Sequence, residues 1–328
     1  MRITFSEDGR DFTRRDWTDL VRADPAGTFF HQPRFLKLYW EEFGSTPEHL
    51  LLAFGEEGDV QVGAVAFERH DTTLRFLGGT EVTDYMGPVA LPQARAAFVD
   101  ALWGGLLERE DWADADLWGL PEDAGWYALL GDAASAHGLA VEEAPDHDGV
   151  APFLALPATW DGYLEGLASK LRHEIRRKAK KLEAEAGPFE IVTADASTLV
   201  PMLDRFVELH RLSEGPKGVF MVPGMEIFFR RLGETFGSGV FRLNMIRVGG
   251  SLAAGTIGFV FGGTTYLYNS AFDRSWGGLA PGMVLVAEDV RLAIEDGCSG
   301  FDLLKGDYSY KYRFGAVPRP VRRLIARR

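Results

Sequence analysis

Apolar and polar positions follow two rhythms along this chain, and the same succession of rhythms occurs twice. A helix-period segment around Phe35 closes with Glu41 and Phe43-Gly44-Ser45, and another around Phe228 closes with Glu234 and Phe236-Gly237-Ser238, a glycine stopping the helix in both. Strand-like runs follow. Gly63-Ala64-Val65-Ala66-Phe67, continuing to Thr72-Thr73-Leu74, matches Gly255-Thr256-Ile257-Gly258-Phe259, continuing to Thr264-Thr265-Tyr266, at a constant offset of 192. Pro92 then opens an apolar-periodic helix to about Leu107, as Pro281 opens one to about Ile294, and each leads to a short strand, Ala115 to Leu120 and Gly300 to Lys305. Each copy predicts a helix, a three-strand antiparallel meander, a helix and a strand. The fold class expected is α/β, a mixed sheet with helices on its faces, built twice.

Between the copies, residues 144–152 are polar and bracketed by Pro145 and Pro152. A junction there divides the chain into domains 1–148 and 149–328. The second copy carries an extra helical stretch, Trp160 to Glu185. Val248 to Tyr268 is nearly uncharged and about as long as a membrane span, but its Gly249-Gly250 and Gly262-Gly263 pairs flank β-branched and aromatic runs. That pattern predicts a meander and no membrane span.

Composition narrows the class. At 46% hydrophobic and 25% charged, with 23 Phe and 8 Trp, the 328 residues have the apolar content of a globular chain. The single Cys298 closes no intramolecular disulfide and builds no thiolate zinc site. An acidic N-terminus without an apolar run predicts no export signal, hence a cytoplasmic protein. Neither a nucleophile elbow, a His-Glu-x-x-His nor a phosphate loop is found, and no metal is expected. The net charge of −13 is unevenly spread: residues 1–150 hold 29 acids and 11 bases, leaving 19 acids and 24 bases for the rest. An anionic ligand is thus expected on the second copy, and DNA is not an expected partner.

Two motifs there suit an anion. Ser169 to Leu182 places Leu171, Ile175 and Leu182 on one stripe of an otherwise basic helix, which is either a solvated amphipathic helix or a phosphate-facing one. The turn Trp276-Gly277-Gly278-Leu279-Ala280-Pro281-Gly282-Met283 joins a strand to a helix start, where backbone amides meet phosphates. Gly277, Gly278, Leu279, Ala280, Gly282 and Met283 are the donor-binding candidates.

A third motif carries a resemblance. Phe301-Asp302-Leu303-Leu304-Lys305-Gly306, then Tyr310-Lys311-Tyr312-Arg313-Phe314-Gly315, preceded by the Pro281-Gly282 helix and the Ser169-Lys170-Leu171-Arg172 helix, resembles the BioF2-like or CelD-like acyltransferases of the Gcn5-related N-acetyltransferase (GNAT) superfamily. These are similar in architecture to the Fem peptidyltransferases. The resemblance extends from about Phe29-Phe30-His31-Gln32-Pro33 through Thr83-Asp84-Tyr85-Met86-Gly87-Pro88 to Gly315. It implies two tandem GNAT-like domains, with acyl-CoA as donor substrate on the second and Lys311 as the residue matching a Fem catalytic lysine. A lysine ammonium beside the tetrahedral oxyanion of acyl transfer lowers its energy, and a tyrosine such as Tyr310 donates a proton to the leaving group. Asp302 completes the catalytic candidates. The alternative for Lys311 and Arg313 is pairing with surface acids.

For the acceptor, the candidates are His210, Arg211 and Lys217 at a helix-to-loop passage, and Asp84 and Tyr85 in the first copy, which the resemblance places toward a cleft. His210 reads equally as a core histidine. The expected function is N-acyl transfer from acyl-CoA to an amino group of a sugar, peptide or envelope precursor. The alternatives are a Fem-like transferase using aminoacyl-tRNA, less comfortable beside an acidic first half, and a non-catalytic binding protein retaining the fold.

Overall fold

The computed structural model describes residues 1–44, 46, 49–144, 149–213 and 219–328. The chain divides into two units, Met1–Ala151 with Arg319–Arg328, and Pro152–Pro318.

In the first unit, β1 (Arg2–Ser6) is followed by the short helices α1 (Asp11–Arg14) and α2 (Thr18–Ala23) and by α3 (Pro33–Phe43). The meander β2 (Leu50–Glu57), β3 (Val60–His70) and β4 (Thr73–Phe76) comes next, then β5 (Val89–Ala90), α4 (Arg95–Leu107), β6 (Asp114–Pro121), α5 (Trp126–Ala136) and β7 (Ala140–Ala144). The sheet runs β1-β2-β3-β4-β6 and continues through the C-terminal strand to β7. Its core packs Phe98, Trp103 and Leu106 of α4 and Trp126 and Leu130 of α5 on the sheet.

The second unit opens with β8 (Phe153–Ala155), α6 (Trp160–Gly166) and α7 (Ser169–Ala186), then β9 (Phe189–Thr193), α8 (Leu199–Arg211) and α9 (Pro223–Val240). The meander β10 (Phe241–Val248), β11 (Ser251–Phe261) and β12 (Thr264–Phe272) leads to α10 (Pro281–Glu295) and β13 (Gly300–Asp302). The sheet order is β8-β13-β12-β11-β10-β9. The two-residue turns of the meander are Gly249-Gly250 and Gly262-Gly263, all four at positive φ, as tight hairpins between right-twisted strands require. No helix among the described residues is long and apolar enough to cross a membrane.

The repeat goes further than the sequence match. In both units a strand pairs antiparallel on the outer side of the meander (β1 with β2, β9 with β10), and the last meander strand pairs parallel with the strand after the Pro-opened helix (β4 with β6, β12 with β13).

Three expectations change. The helical stretch from Trp160 is two helices, broken at Leu167 and Ala168, whose ψ angles of 144° and 138° are extended. The strand expected over Gly300 to Lys305 ends at Asp302, because Leu304 turns to φ +61°. And 319–328 does not stay with 149–318: Val321–Arg327 forms β14, between β6 and β7 of the first sheet, with Leu324 and Ala326 in that unit's core.

The strand's return changes the charge balance too. The five arginines of residues 319–328, three of them on β14, belong to the first unit, where Arg322 meets Glu122 and Glu143 at 2.8 Å and Arg323 meets Asp116 at 2.7 Å. The first unit therefore carries −13, and the second holds 19 acids and 19 bases. The surplus of bases read in the second half lies in residues 319–328. What remains for an anion in the second unit is local, on α7.

Candidate active site

Among the described residues, the second sheet loses a strand pairing partway along β12. β12 pairs with β13 only from Thr264↔Gly300 to Tyr266↔Asp302, yet β12 runs on to Phe272. Past Asp302 the chain leaves the sheet at Leu304, so from Leu267 onward β12 presents its edge on that side without β13. Opposite β11, the register slips between Ile257 and Gly258, leaving Tyr268 as the extra residue of a bulge. Gly258 fits there because a Cβ would stand 2.5 Å from the Tyr266 carbonyl oxygen. Such a bulge re-aims the strand's side chains: Leu267 packs with Val286 and Val290 of α10, whereas Asn269, two positions on, meets His210 of α8.

In the first unit the matching place is closed by its own chain. The amide of Met86 donates to the Gly119 carbonyl of β6 at 2.9 Å, and Gly119, at φ +75°, leaves room for it. Tyr85 is fully buried, edge-on to Phe30, and its hydroxyl bonds with Arg319, while Asp84 is half-buried. The segment holding both candidates packs as part of the first unit.

Beside the β12 edge, the donor-binding candidates form the wall leading into α10. Asp273 caps a 3-10 turn, Arg274–Leu279, through the amide of Ser275 at 2.9 Å, and Ala280 turns the chain into the helix at φ +53°. Pro281 has no amide hydrogen, and the amides of Met283 and Val284 donate to the Ala280 carbonyl. The first turn thus leaves the Gly282 amide for an outside acceptor, fewer than a full helix start offers. Gly277 and Gly278 are exposed. Lys181 of α7 donates to the Gly278 carbonyl at 3.0 Å, and Arg313 lies 3.5 Å from Glu174 of α7 and 3.6 Å from the Met283 sulfur. The basic helix therefore stands against this wall, with Arg176, Arg177 and Lys180 exposed.

The other wall is the segment after β13. Asp302, 1% exposed, accepts the Leu304 amide at 2.8 Å and so holds the left-handed turn. Lys311, 2% exposed, donates from Nζ to the carbonyls of Leu304 at 2.8 Å and Lys305 at 2.6 Å, with the Tyr308 ring 5.4 Å away. Tyr310 stacks on Tyr308, and desolvation, then Tyr308, pushes its pKa up to about 12. Its phenol is a proton donor at neutral pH. Tyr163 of α6 donates to the Phe314 carbonyl at 2.7 Å and ties the turn Lys311–Phe314 to the unit.

His210 is completely buried, its Nε2 donating to Asn269 Oδ1 at 3.0 Å and its ring between Phe206 and Phe220. Arg211 bonds Glu226 at 2.8 Å. Lys217 lies outside the described residues, as do Asp146, His147 and Asp148. Lys311, Tyr310 and Asp302 are brought together; Gly277 to Met283 form the second wall; Asp84 and Tyr85 belong to the other unit.

Sequence reasoning missed the open edge of β12 and the seat of Lys181 on the Gly278 carbonyl, whereas Arg313 pairs with an acid, Glu174, as its alternative reading had it. A signal was available: β12 has nine residues where β4 has four, an excess readable as an apolar run continuing past the repeat's end.

Residues 169–312 match the model of an acetyltransferase (GNAT) domain. The chain folds as two GNAT-like units in tandem. Solved structures similar to it include FemX, at 12% identity over 99% of this chain and 97% of that one with a TM-score of 0.69. The C-terminal domain of a protein named as a lysylphosphatidylglycerol synthetase from Agrobacterium fabrum shares 12% identity over 98% and 92%, with a TM-score of 0.59. A GNAT-family acetyltransferase from Colwellia psychrerythraea shares 11% over 100% and 99%, with a TM-score of 0.50. At such identities the likeness to these structures is one of fold. No curated protein matches the sequence.

Proposed function

We propose that the second unit is an N-acyltransferase that takes its acyl group from acyl-CoA and passes it to an amino group of a sugar, peptide or envelope precursor. The observation that carries the reading is the early end of the β12–β13 pairing at Tyr266↔Asp302. An open strand edge suits an extended arm bearing amides, such as the pantetheine of coenzyme A, because the arm completes the ladder as an added strand would. The phosphates at the other end of such a donor suit the Gly282 amide and the cations of α7. On the opposite wall, Lys311 would face developing negative charge and Tyr310 would protonate the departing thiolate. The family match over residues 169–312 supports the same reading.

Calorimetric titration of the full chain with acetyl-CoA and longer acyl-CoAs tests it. Micromolar binding followed by transfer to an amine is expected. Silence across the series overturns the acyl-CoA reading, and tight, steeply salt-dependent retention of aminoacyl-tRNA in a filter assay would replace the donor with an RNA ester.

A further inference from the structure

Helix α10 carries one carboxylate on the face that packs against the sheet. Asp289 stands one turn after Leu285 and one turn before Ala293, both buried, and is itself 5% exposed. Its Oδ1 accepts from Asn244 Nδ2 of β10 at 2.8 Å, and Asn244 Oδ1 in turn accepts from the Thr193 hydroxyl at 2.7 Å. Thr256 of β11 is a further polar neighbour of the carboxyl group. Asp289 Oδ2, however, is buried with no hydrogen-bond partner among the described residues. A buried carboxylate oxygen left unpaired is costly, so this one calls for a physical reason.

A cavity of about 220 Å³ supplies the reason. Asp289, Asn244 and Thr256 line it together with Thr193, and so do Arg242 and Asp296, which pair with each other at 3.0 Å. The side chains of that pair are 29% and 47% exposed and so mark the side open to solvent, while Asp289 lies deep. The cavity is distinct from the donor wall: Asp289 is eight residues past Pro281, about 12 Å along the helix.

We propose that this cavity binds a small molecule carrying a primary ammonium group, seated on Asp289 Oδ2. The donors around the carboxylate are already committed to it, so the free oxygen asks for a hydrogen from outside. Arg242 is paired with Asp296, which leaves the Asp289 carboxyl without a cation among the lining residues and disfavours an anion. One carboxylate with an amide and hydroxyls is a poor set for a divalent cation, which needs several oxygen ligands, and no cluster of three or more metal-binding side chains occurs among the described residues. An ammonium has three donors, one for Oδ2 and two for the spare lone pairs of the threonine hydroxyls. The cavity's size suits a small ligand such as ethanolamine.

The test compares ethanolamine with its neutral isostere ethylene glycol by calorimetry on the full chain at constant ionic strength. The amine is expected to bind at least about tenfold tighter, the effect of a charge-assisted hydrogen bond. Asp289→Asn is expected to erase the difference, and Ala293→Leu, which grows into the cavity while keeping the carboxylate, to weaken the amine about tenfold or more. Equal affinity for the two probes, no binding of either, or amine binding unchanged in both variants overturns the proposal. Should Asp289→Asn not fold, the wild-type comparison and Ala293→Leu still decide it.

Discussion

The ammonium of Lys311 is bound to the carbonyl of Leu304 at 2.8 Å, and Leu304 is a left-handed residue whose amide is held by Asp302. One peptide segment is thus fixed from both ends, by a carboxylate on its amide and a cation on its carbonyl. The arrangement buries a lysine against two carbonyls of the segment that follows β13 and pins a backbone conformation that leucine rarely adopts.

Replacing Lys311 by Met keeps the apolar stem and leaves the Leu304 and Lys305 carbonyls without their donor. A stability loss of about 2–4 kcal/mol is expected in chemical denaturation, from two buried acceptors left unmet. Under the proposed role, folded Lys311→Met protein should still bind acyl-CoA, with kcat reduced about 100-fold or more as the proposed oxyanion partner is lost. Unchanged kcat in the folded variant would leave Lys311 a purely structural residue.

Ala280 turns into α10 at φ +53°, a conformation that costs an alanine about 1 kcal/mol and a glycine little. Ala280→Gly is therefore expected to raise the thermal midpoint by about 2 °C, somewhat less than the full penalty because glycine is freer when unfolded. A lowered midpoint would mean that the Ala280 methyl makes a contact worth more than the strain.

Two buried groups tilt stability with pH in opposite directions. Burial raises the Asp289 carboxyl from 3.8 to about 7, so the folded state keeps a proton that the unfolded chain releases, and this contribution is lost as pH rises from about 4 through 7. Burial lowers His31 of the first unit from 6.5 to about 4, so its contribution is present above 6.5 and lost as pH falls toward 4. Relative to wild type, Asp289→Asn should gain stability as pH climbs from 4 to 7, and His31→Gln should gain as pH drops from 6.5 to 4. Parallel wild-type and variant curves in urea melts across this range would refute both assignments.

The features legible in the sequence were those written locally. The paired glycines at 249–250 and 262–263 prescribe hairpins wherever the chain goes, and Pro281 prescribes a helix start. Asp289 was not singled out, because its meaning depends on Asn244 and Thr256 from other strands. Leu304 carries no local mark of its left-handed turn, because that conformation is imposed by Asp302 and Lys311. The site's open edge follows from a strand ending early, and the length of β13 is set by that imposed turn.

The return of β14 was hidden for a different reason: a strand's partner is a long-range choice, and Val321-Arg322-Arg323-Leu324-Ile325-Ala326-Arg327 has no local bias toward one sheet. Its arginines were the signal, since the acid-rich first half lacked bases to balance it. In the fold, β14 is an interior strand that holds β7 to β6, and Leu324, 1% exposed, sits under Trp126 and Leu130 in the same core cluster. Ending the chain at Pro318 would leave β7 unpaired and return the first unit from −13 to −18. Six of the eight tryptophans lie in that unit, so their fluorescence reports its unfolding. The truncated chain is expected to show red-shifted emission at room temperature, partly reversed by molar salt as the acids are screened. Leu324→Ala should cost about 2–5 kcal/mol in the same signal, through the cavity it leaves. Emission and melting unchanged by the truncation would show that the first unit holds its sheet without β14.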